Sequence, residues 1–256
     1  MLIRDKEYEE VVGIRRSLLW NMHITPMHFF QKLCSEPKTT KALDFGIAAH
    51  MYILENFKFY KKYTFIPRDI DRRTKQGKED YEKLKLSGKE LLSADDWDRV
   101  YDMGEALEKN DEAVALLKGA HEQIYQWTDP ETGEVCKVKI DCLTRFNGQL
   151  TIVDYKTTDS CDERAFRASA RKYGYKFQAG MYAEGVENDM LEQVRFAFIA
   201  QEKNPPYATR VFYCDDDYVK AGKLEFHNLL RRYHSCMVSG EWPGYESTVL
   251  LEEEYE

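Results

Sequence analysis

The stretch Asp141-Cys142-Leu143-Thr144-Arg145-Phe146-Asn147-Gly148-Gln149-Leu150-Thr151-Ile152-Val153-Asp154-Tyr155-Lys156 decides how this chain is read. Asn147-Gly148 is a favoured pair for a tight hairpin turn, because both positions require positive φ. Before it, Glu134 to Leu143 alternates, with Val135, Val138 and Ile140 bracketed by polar residues, which predicts a half-buried strand. After it, Leu150 to Tyr155 predicts the returning strand, apolar enough to lie centrally. Asp141 then ends one strand and Asp154 lies on its hairpin partner. Lys156 is two residues beyond Asp154, so both side chains point to the same face.

That arrangement has a chemical meaning. Hydrolysing a phosphodiester at neutral pH calls for a hard cation such as Mg²⁺, held by carboxylates and water. It also needs a group that positions or deprotonates the attacking water, which the Lys156 ammonium can do. A lone D-x-K is common, and usually a solvated pair of little weight. Here Asp154 follows Ile152-Val153 inside an apolar strand, where a charge is costly without a partner or a function.

Working outward, Thr25-Pro26 predicts a helix start, with the threonine as N-cap and the proline at the first helical position. A helix is expected from Asp44 to about Glu55, with Ile47, Met51 and Leu54 on one face. Residues 68–78 lack apolar periodicity and read as a mobile basic loop. Ser93 opens another helix, carrying Trp97, Val100, Tyr101 and Leu107. Gln123 to Thr128 predicts a strand, followed by a turn at Asp129-Pro130-Glu131-Thr132-Gly133. Beyond Lys156 come helices at about 162–172 and 175–187, then strands near 194–201 and 207–213 joined by Asn204-Pro205-Pro206. A long amphipathic helix runs from about Asp215 to Ser239. Helices, a three-stranded meander, a helix pair, a strand pair and a helix make an α/β or α+β domain with a mixed sheet.

Composition narrows the class. No run of about 18 apolar residues suggests a membrane span, and Met1-Leu2-Ile3-Arg4-Asp5-Lys6 lacks the apolar core of a signal peptide. The expected location is cytoplasmic. Cys34, Cys136, Cys142, Cys161, Cys214 and Cys236 form no C-x-x-C pair, which disfavours a zinc ribbon or an iron–sulfur cluster and predicts reduced, mostly buried thiols. The net charge of −8 argues at first against a nucleic-acid partner. Its distribution reverses that reading. Glu252-Glu253-Glu254-Tyr255-Glu256 contributes −4 and reads as a solvated tail. Eight basic residues (Lys58, Lys61, Lys62, Arg68, Arg72, Arg73, Lys75 and Lys78) stand against Asp69 and Asp71. Arg164, Arg167, Arg171, Lys172 and Lys176 form a second basic stretch with no acid inside it. DNA binding that is local and salt-sensitive fits this pattern.

Taken together, the sequence resembles the PD-(D/E)XK nuclease superfamily, and within it the RecE-like phage and prophage exonucleases of the exodeoxyribonuclease VIII type. The matching segments are Gly46-x-x-x-His50, Cys136-Lys137-Val138-Lys139-Ile140-Asp141, Ile152-Val153-Asp154-Tyr155-Lys156-Thr157-Thr158 and Gln178-x-x-x-Tyr182. Softer matches are Gln201-Glu202-Lys203-Asn204-Pro205-Pro206-Tyr207 and Trp242-Pro243-Gly244-Tyr245. Ile140 departs from the pattern, standing where the superfamily name has proline.

The resemblance implies an α/β (α+β) fold: a restriction-endonuclease-like core with a mixed central sheet flanked by helices, plus N-terminal helices. Residues 1–256 would form a single nuclease domain, with 1–120 mainly helical, carrying His50 and the basic loop, and 121–245 as the core. It implies Asp141, Asp154 and Lys156 as catalytic residues. Metal ligands would be His50, Asp141, Asp154 and the Tyr155 carbonyl, with Mg²⁺ as cofactor and Mn²⁺ able to substitute. Gln178 and Tyr182, four apart on one helix face, would support the site or hold DNA. Arg72, Arg73 and Lys75 could clamp phosphates through charged hydrogen bonds, and Glu122 could add a further carboxylate.

The activity implied is 5′→3′ degradation of one strand of linear duplex DNA. The partners implied are DNA, a single-strand-annealing recombination protein and further copies of the chain. No G-x-x-x-x-G-K-[ST] signature is present, so no nucleotide cofactor is expected. Three alternatives compete: a single-strand nuclease or endonuclease of the same superfamily, a non-catalytic DNA-binding module with a nuclease fold, and a glycosidase-like carboxylate pair. The last gives Lys156 no role.

Overall fold

The computed structural model describes residues 1–3, 7–36 and 41–247. The acidic stretch 252–256 lies outside the described residues. The N-terminal part holds β1 (Leu2–Ile3), β2 (Ile14–Arg15), α1 (Arg16–Leu19), α2 (Pro26–Leu33), α3 (Lys41–Leu54) and α4 (Asn56–Lys62). It continues through β3 (Tyr63–Ile66), α5 (Lys75–Lys85), β4 (Glu90–Ser93), α6 (Ala94–Leu107) and α7 (Asp111–Leu116). The remainder is β5 (Ala120–Thr128), β6 (Val135–Phe146), β7 (Gln149–Thr158), α8 (Glu163–Tyr173), α9 (Tyr175–Met190), β8 (Arg195–Glu202), β9 (Thr209–Cys214) and α10 (Asp216–Ser239).

The predicted hairpin forms about Asn147 and Gly148, with φ of +49° and +79°. It pairs β6 with β7 from Phe146–Gln149 up to Cys142–Val153. The main sheet runs β1-β5-β6-β7-β8-β9, and β2 joins β6. The β7–β8 pair is parallel and β8–β9 antiparallel, so the sheet is mixed, as expected. A parallel pair needs a crossover, here through α8 and α9, and it is buried on both faces. Phe196 to Ala200 of β8 are accordingly all buried.

Two apolar layers enclose this sheet. Ile140, Ile152, Phe196 and Phe198 pack with Phe177 and Val186 of α9 and Phe226 and Leu230 of α10. Against the other face, Val153, Tyr155 and Ile199 pack with Leu107 of α6 and Leu116 of α7. α9 and α10 approach closely because both carry glycine at the crossing. A Cβ on Gly180 would stand 2.1 Å from the Gly222 carbonyl carbon.

Side-chain caps fix the helix starts read from sequence. Thr25, Ser93 and Asp215 each accept a backbone N–H three residues on. Three expectations change. Residues 68–78 are not one loop, because the Thr74 hydroxyl caps α5 by accepting from Gly77 N–H at 2.9 Å. α3 starts at Lys41, and its buried side is Phe45, Ala48 and Ala49, packed with Phe59 and Met103. Of the expected face, Leu54 is buried, Met51 packs against that cluster and also lines a cavity described below, and Ile47 is exposed at the cavity wall. Finally, the parallel pair β3–β4 has no counterpart in the sequence reading. All six cysteines are free in the structure and four are buried, as the expectation of mostly buried thiols has it. Among the described residues, no helix is long and apolar enough to cross a membrane.

Candidate metal centre

The β5–β6 ladder is interrupted at one level. His121 pairs with Cys142 and Gln123 with Ile140, but the pair between them, Glu122 and Asp141, is missing. Glu122 takes φ +55°, a left-handed conformation foreign to a strand. Alternation breaks at the same point. Ile140 belongs to the α9–α10 layer, whereas Cys142, two residues on, packs in the opposite one. The break frees both acidic side chains from the pleat. Beyond the last β6–β7 ladder pair, the Asp141 carboxylate accepts the Tyr155 backbone N–H at 2.8 Å.

α3 lays His50 over this gap. Its Nε2 is 3.0 Å from Asp141 Oδ2, and its Nδ1 is 3.9 Å from Glu122 Oε1. One ligand atom from each of His50, Glu122 and Asp141 falls within 4.8 Å of the others. Lys139, on the same strand as Asp141, forms an ion pair with the second oxygen of Glu122. These groups line a cavity of about 530 Å³, together with Tyr155, Lys156, Gln178 and Tyr182.

Asp154 stands behind them, 2% exposed. Gln178 Nε2 donates to its Oδ1 at 2.5 Å, and the Lys156 ammonium lies 2.5 Å from its Oδ2. Burial pushes Asp154 up to about 6, against the Lys156 charge and helped by Asp141. Burial would raise Asp141 too, but His50, Lys156 and the Tyr155 N–H outweigh it and hold that carboxyl below its usual range. Burial opposes a charged His50, yet Asp141 first, then Glu122 and Asp154, raise it to about 9. The field at this spot draws positive charge.

The residues fit a divalent cation. Glu122 Oε1 and Asp154 Oδ2 are buried and have no hydrogen-bond partner. The approach of Lys156 to Asp154 Oδ2 is close but outside hydrogen-bonding geometry. Buried polar atoms are normally satisfied, and a carboxylate oxygen left without a donor is suited to a hard ion. Oxygen donors with one imidazole suit Mg²⁺ or Mn²⁺ better than a thiophilic metal.

The structure thus brings His50, Asp141, Tyr155, Lys156, Gln178 and Tyr182 to one cavity, with Asp154 adjoining it. Of the expected ligands, Asp154 is outside the tight cluster, and Glu122, named only as an addition, is within it. Arg72, Arg73 and Lys75 are not part of the cavity wall. Arg72 covers the Tyr81 ring at 4.2 Å, Arg73 forks onto Asp71 at 2.9 Å, and Lys75 opens α5. Sequence reasoning gave no role to Lys139, although its place two residues before Asp141 was a signal. It also missed Tyr8, Arg16 and Ser17, which reach the cavity from the N-terminal segment and have no periodic pattern to reveal them.

The family model for a PDDEXK-like domain of unknown function (DUF3799) matches residues 16–252. None of the curated proteins compared matches the chain. Among solved structures, the chain is similar to a "putative exonuclease" from Eubacterium rectale, with 16% identity and a TM-score of 0.66, over 98% of this chain and 96% of that one. At that identity the likeness speaks to the fold. A second structure, described as SSO0001, is 15% identical over 71% of this chain and 84% of its own, with a TM-score of 0.30, and carries no argument.

Proposed function

The chain belongs to the family of PDDEXK-like domains, and from that premise we propose that it is a Mg²⁺-dependent DNA exonuclease, with Mn²⁺ able to substitute. One observation carries the reading: ligand atoms of His50, Glu122 and Asp141 converge within 4.8 Å in the cavity that Lys156 also lines. A nuclease needs a cation seat and a proton-handling group side by side.

When bound, a divalent metal would polarise the scissile phosphate and lower the pKa of a water enough for its deprotonated form to be available near neutral pH. His50, Glu122 and Asp141 would hold it, with Asp154 Oδ2, which faces the Lys156 ammonium, and the Tyr155 carbonyl as further donors. The chain's own residues do the rest. Lys156 Nζ donates hydrogen bonds to the attacking water or the phosphate oxygen, orienting the first and offsetting charge on the second. Gln178 fixes the Asp154 carboxylate, and Asp154 in turn holds Lys156 beside the cavity. Lys139 balances Glu122, so two acids and an imidazole can share a small volume. Tyr182 completes the wall on the α9 side.

The proposal extends to 5′→3′ action on linear duplex DNA in phage-type recombination, and to a cytoplasmic homo-oligomer that hands a 3′ strand to an annealing protein. Residues 1–256 would act as one nuclease unit, with Arg72, Arg73 and Lys75 gripping phosphate outside the cavity. Support for these finer points comes from the resemblance in sequence. Incubation of purified protein and Mg²⁺ with 5′-labelled linear, nicked and closed circular duplexes tests the polarity and the need for a free end. Linear DNA should be consumed from its 5′ ends while closed circles survive. Intact linear DNA beside a working control nuclease would sink the proposal.

A further inference from the structure

Lys156 is held from a second side that the metal cluster does not explain. Tyr175 opens α9 directly after Gly174, which takes φ +66°. A Cβ at Gly174 would stand 2.6 Å from the Trp20 indole, so only glycine lets the chain turn here. The turn brings the Tyr175 ring to the Lys156 ammonium, 5.2 Å from ring centroid to nitrogen. The ring is itself packed in place, stacked on Phe198 at 5.1 Å and flanked by Phe166 at 5.7 Å. Three residues along the same helix face, Gln178 secures Asp154, the other partner of the ammonium.

We propose that Tyr175 is a positioning residue, its ring face and the Asp154 carboxylate together fixing Lys156 Nζ beside the cavity. The inference rests on the role given to Lys156 above. A lysine stem has four flexible carbons, and an ammonium left to sample them spends less time aimed at the reacting atoms. A ring face attracts a cation without hydrogen-bonding it away. Asp154 holds the ammonium by charge, and the ring adds a second contact that narrows the positions the flexible stem can reach.

The test is single-turnover cleavage of 5′-labelled linear duplex by the full chain with Mg²⁺ and enzyme in excess. Tyr175→Leu should lower the maximal rate roughly tenfold, with the half-saturating enzyme concentration within about twofold of wild type. Tyr175→Phe, which keeps the ring, should restore the rate. In a Lys156→Ala background, Tyr175→Leu should change the residual rate by less than about twofold, as expected of two residues acting through one. A Leu effect that persists undiminished without Lys156, or a Phe variant as slow as Leu, overturns the positioning role. Lys156→Ala at the wild-type rate overturns the reading of the site instead. An activity-independent measurement covers variants that fold poorly or cleave too slowly to time. The Lys156 ε-methylene proton resonance, assigned by its loss in Lys156→Ala, should show a ring-current shift in wild type and Tyr175→Phe. That shift should vanish in Tyr175→Met, and its survival there would also overturn the proposal.

Discussion

Charge is handled in opposite ways at the centre of the sheet and along residues 68–98. In the outer segment every close pair is exposed and complete. Arg68 spans Asp95 and Asp98 at 2.8 and 2.7 Å, Arg73 meets Asp71 at 2.9 Å, and Lys83 and Lys85 meet Asp80 and Glu82 at 2.8 Å. Such pairs are screened by water and contribute little. At the β5–β7 centre, Glu122, Asp141 and Asp154 are largely buried, and two of their oxygens have no hydrogen bond. Burying a charge without full compensation is unfavourable. Completeness at the surface therefore says nothing about function, whereas two carboxylate oxygens without hydrogen bonds in the interior are the place to look for a cation.

The sharpest way to break this contrast is at its centre. Asp141→Ala should lower cleavage by at least on the order of a hundredfold while leaving the protein folded and DNA-bound, as read by strand release and by fluorescence anisotropy. Wild-type cleavage would place the chemistry elsewhere. A second test concerns the ligands. Glu122→Gln and His50→Ala should each weaken Mn²⁺ binding by roughly 10- to 100-fold in calorimetric titration. Unaltered affinity would remove that residue from the cluster. The same titration connects to stability, because an ion bound only by the folded chain should raise its melting temperature, and a chelator should reverse the gain.

Gln178→Ala probes the supporting layer. It leaves a buried carboxylate oxygen without its donor, which should cost about 1–3 kcal/mol in urea unfolding. A change well below that would mean the bond is dispensable. The smallest effect is expected in the outer segment. If Arg72, Arg73 and Lys75 touch phosphates, each alanine variant should reduce the slope of log affinity against log salt by about 1, with cleavage at saturating DNA unaffected. An unchanged slope would return them to the class of solvated surface pairs.

How much of this was legible beforehand follows the range of the forces involved. Asn147-Gly148 and the caps at Thr25, Ser93 and Asp215 are local signals, and the structure realises them; the alternation expected from Glu134 to Leu143 holds through Ile140 and breaks at Asp141. β1 and β2 are two residues each, too short for any period to show. β3 pairs with β4 across a 23-residue gap filled by α5, and nothing local announces a partner that distant. In the candidate site, strand spacing put Asp154 and Lys156 on one face, and the structure has them in contact. That Glu122 would enter the tight cluster and Asp154 stand behind it depended on a broken ladder pair. No sequence period encodes such a break.

Glu122 also carries a consequence for descent. Glycine adopts a φ near +55° freely, whereas any other residue held there gives up on the order of 1–3 kcal/mol. Random substitution should therefore drift this position toward glycine in any lineage that no longer needs a carboxylate there. A relative with glycine opposite its Asp141 equivalent would be expected to have lost its cation seat while gaining thermal tolerance. One backbone angle becomes a marker by which working and retired copies of this fold could be told apart.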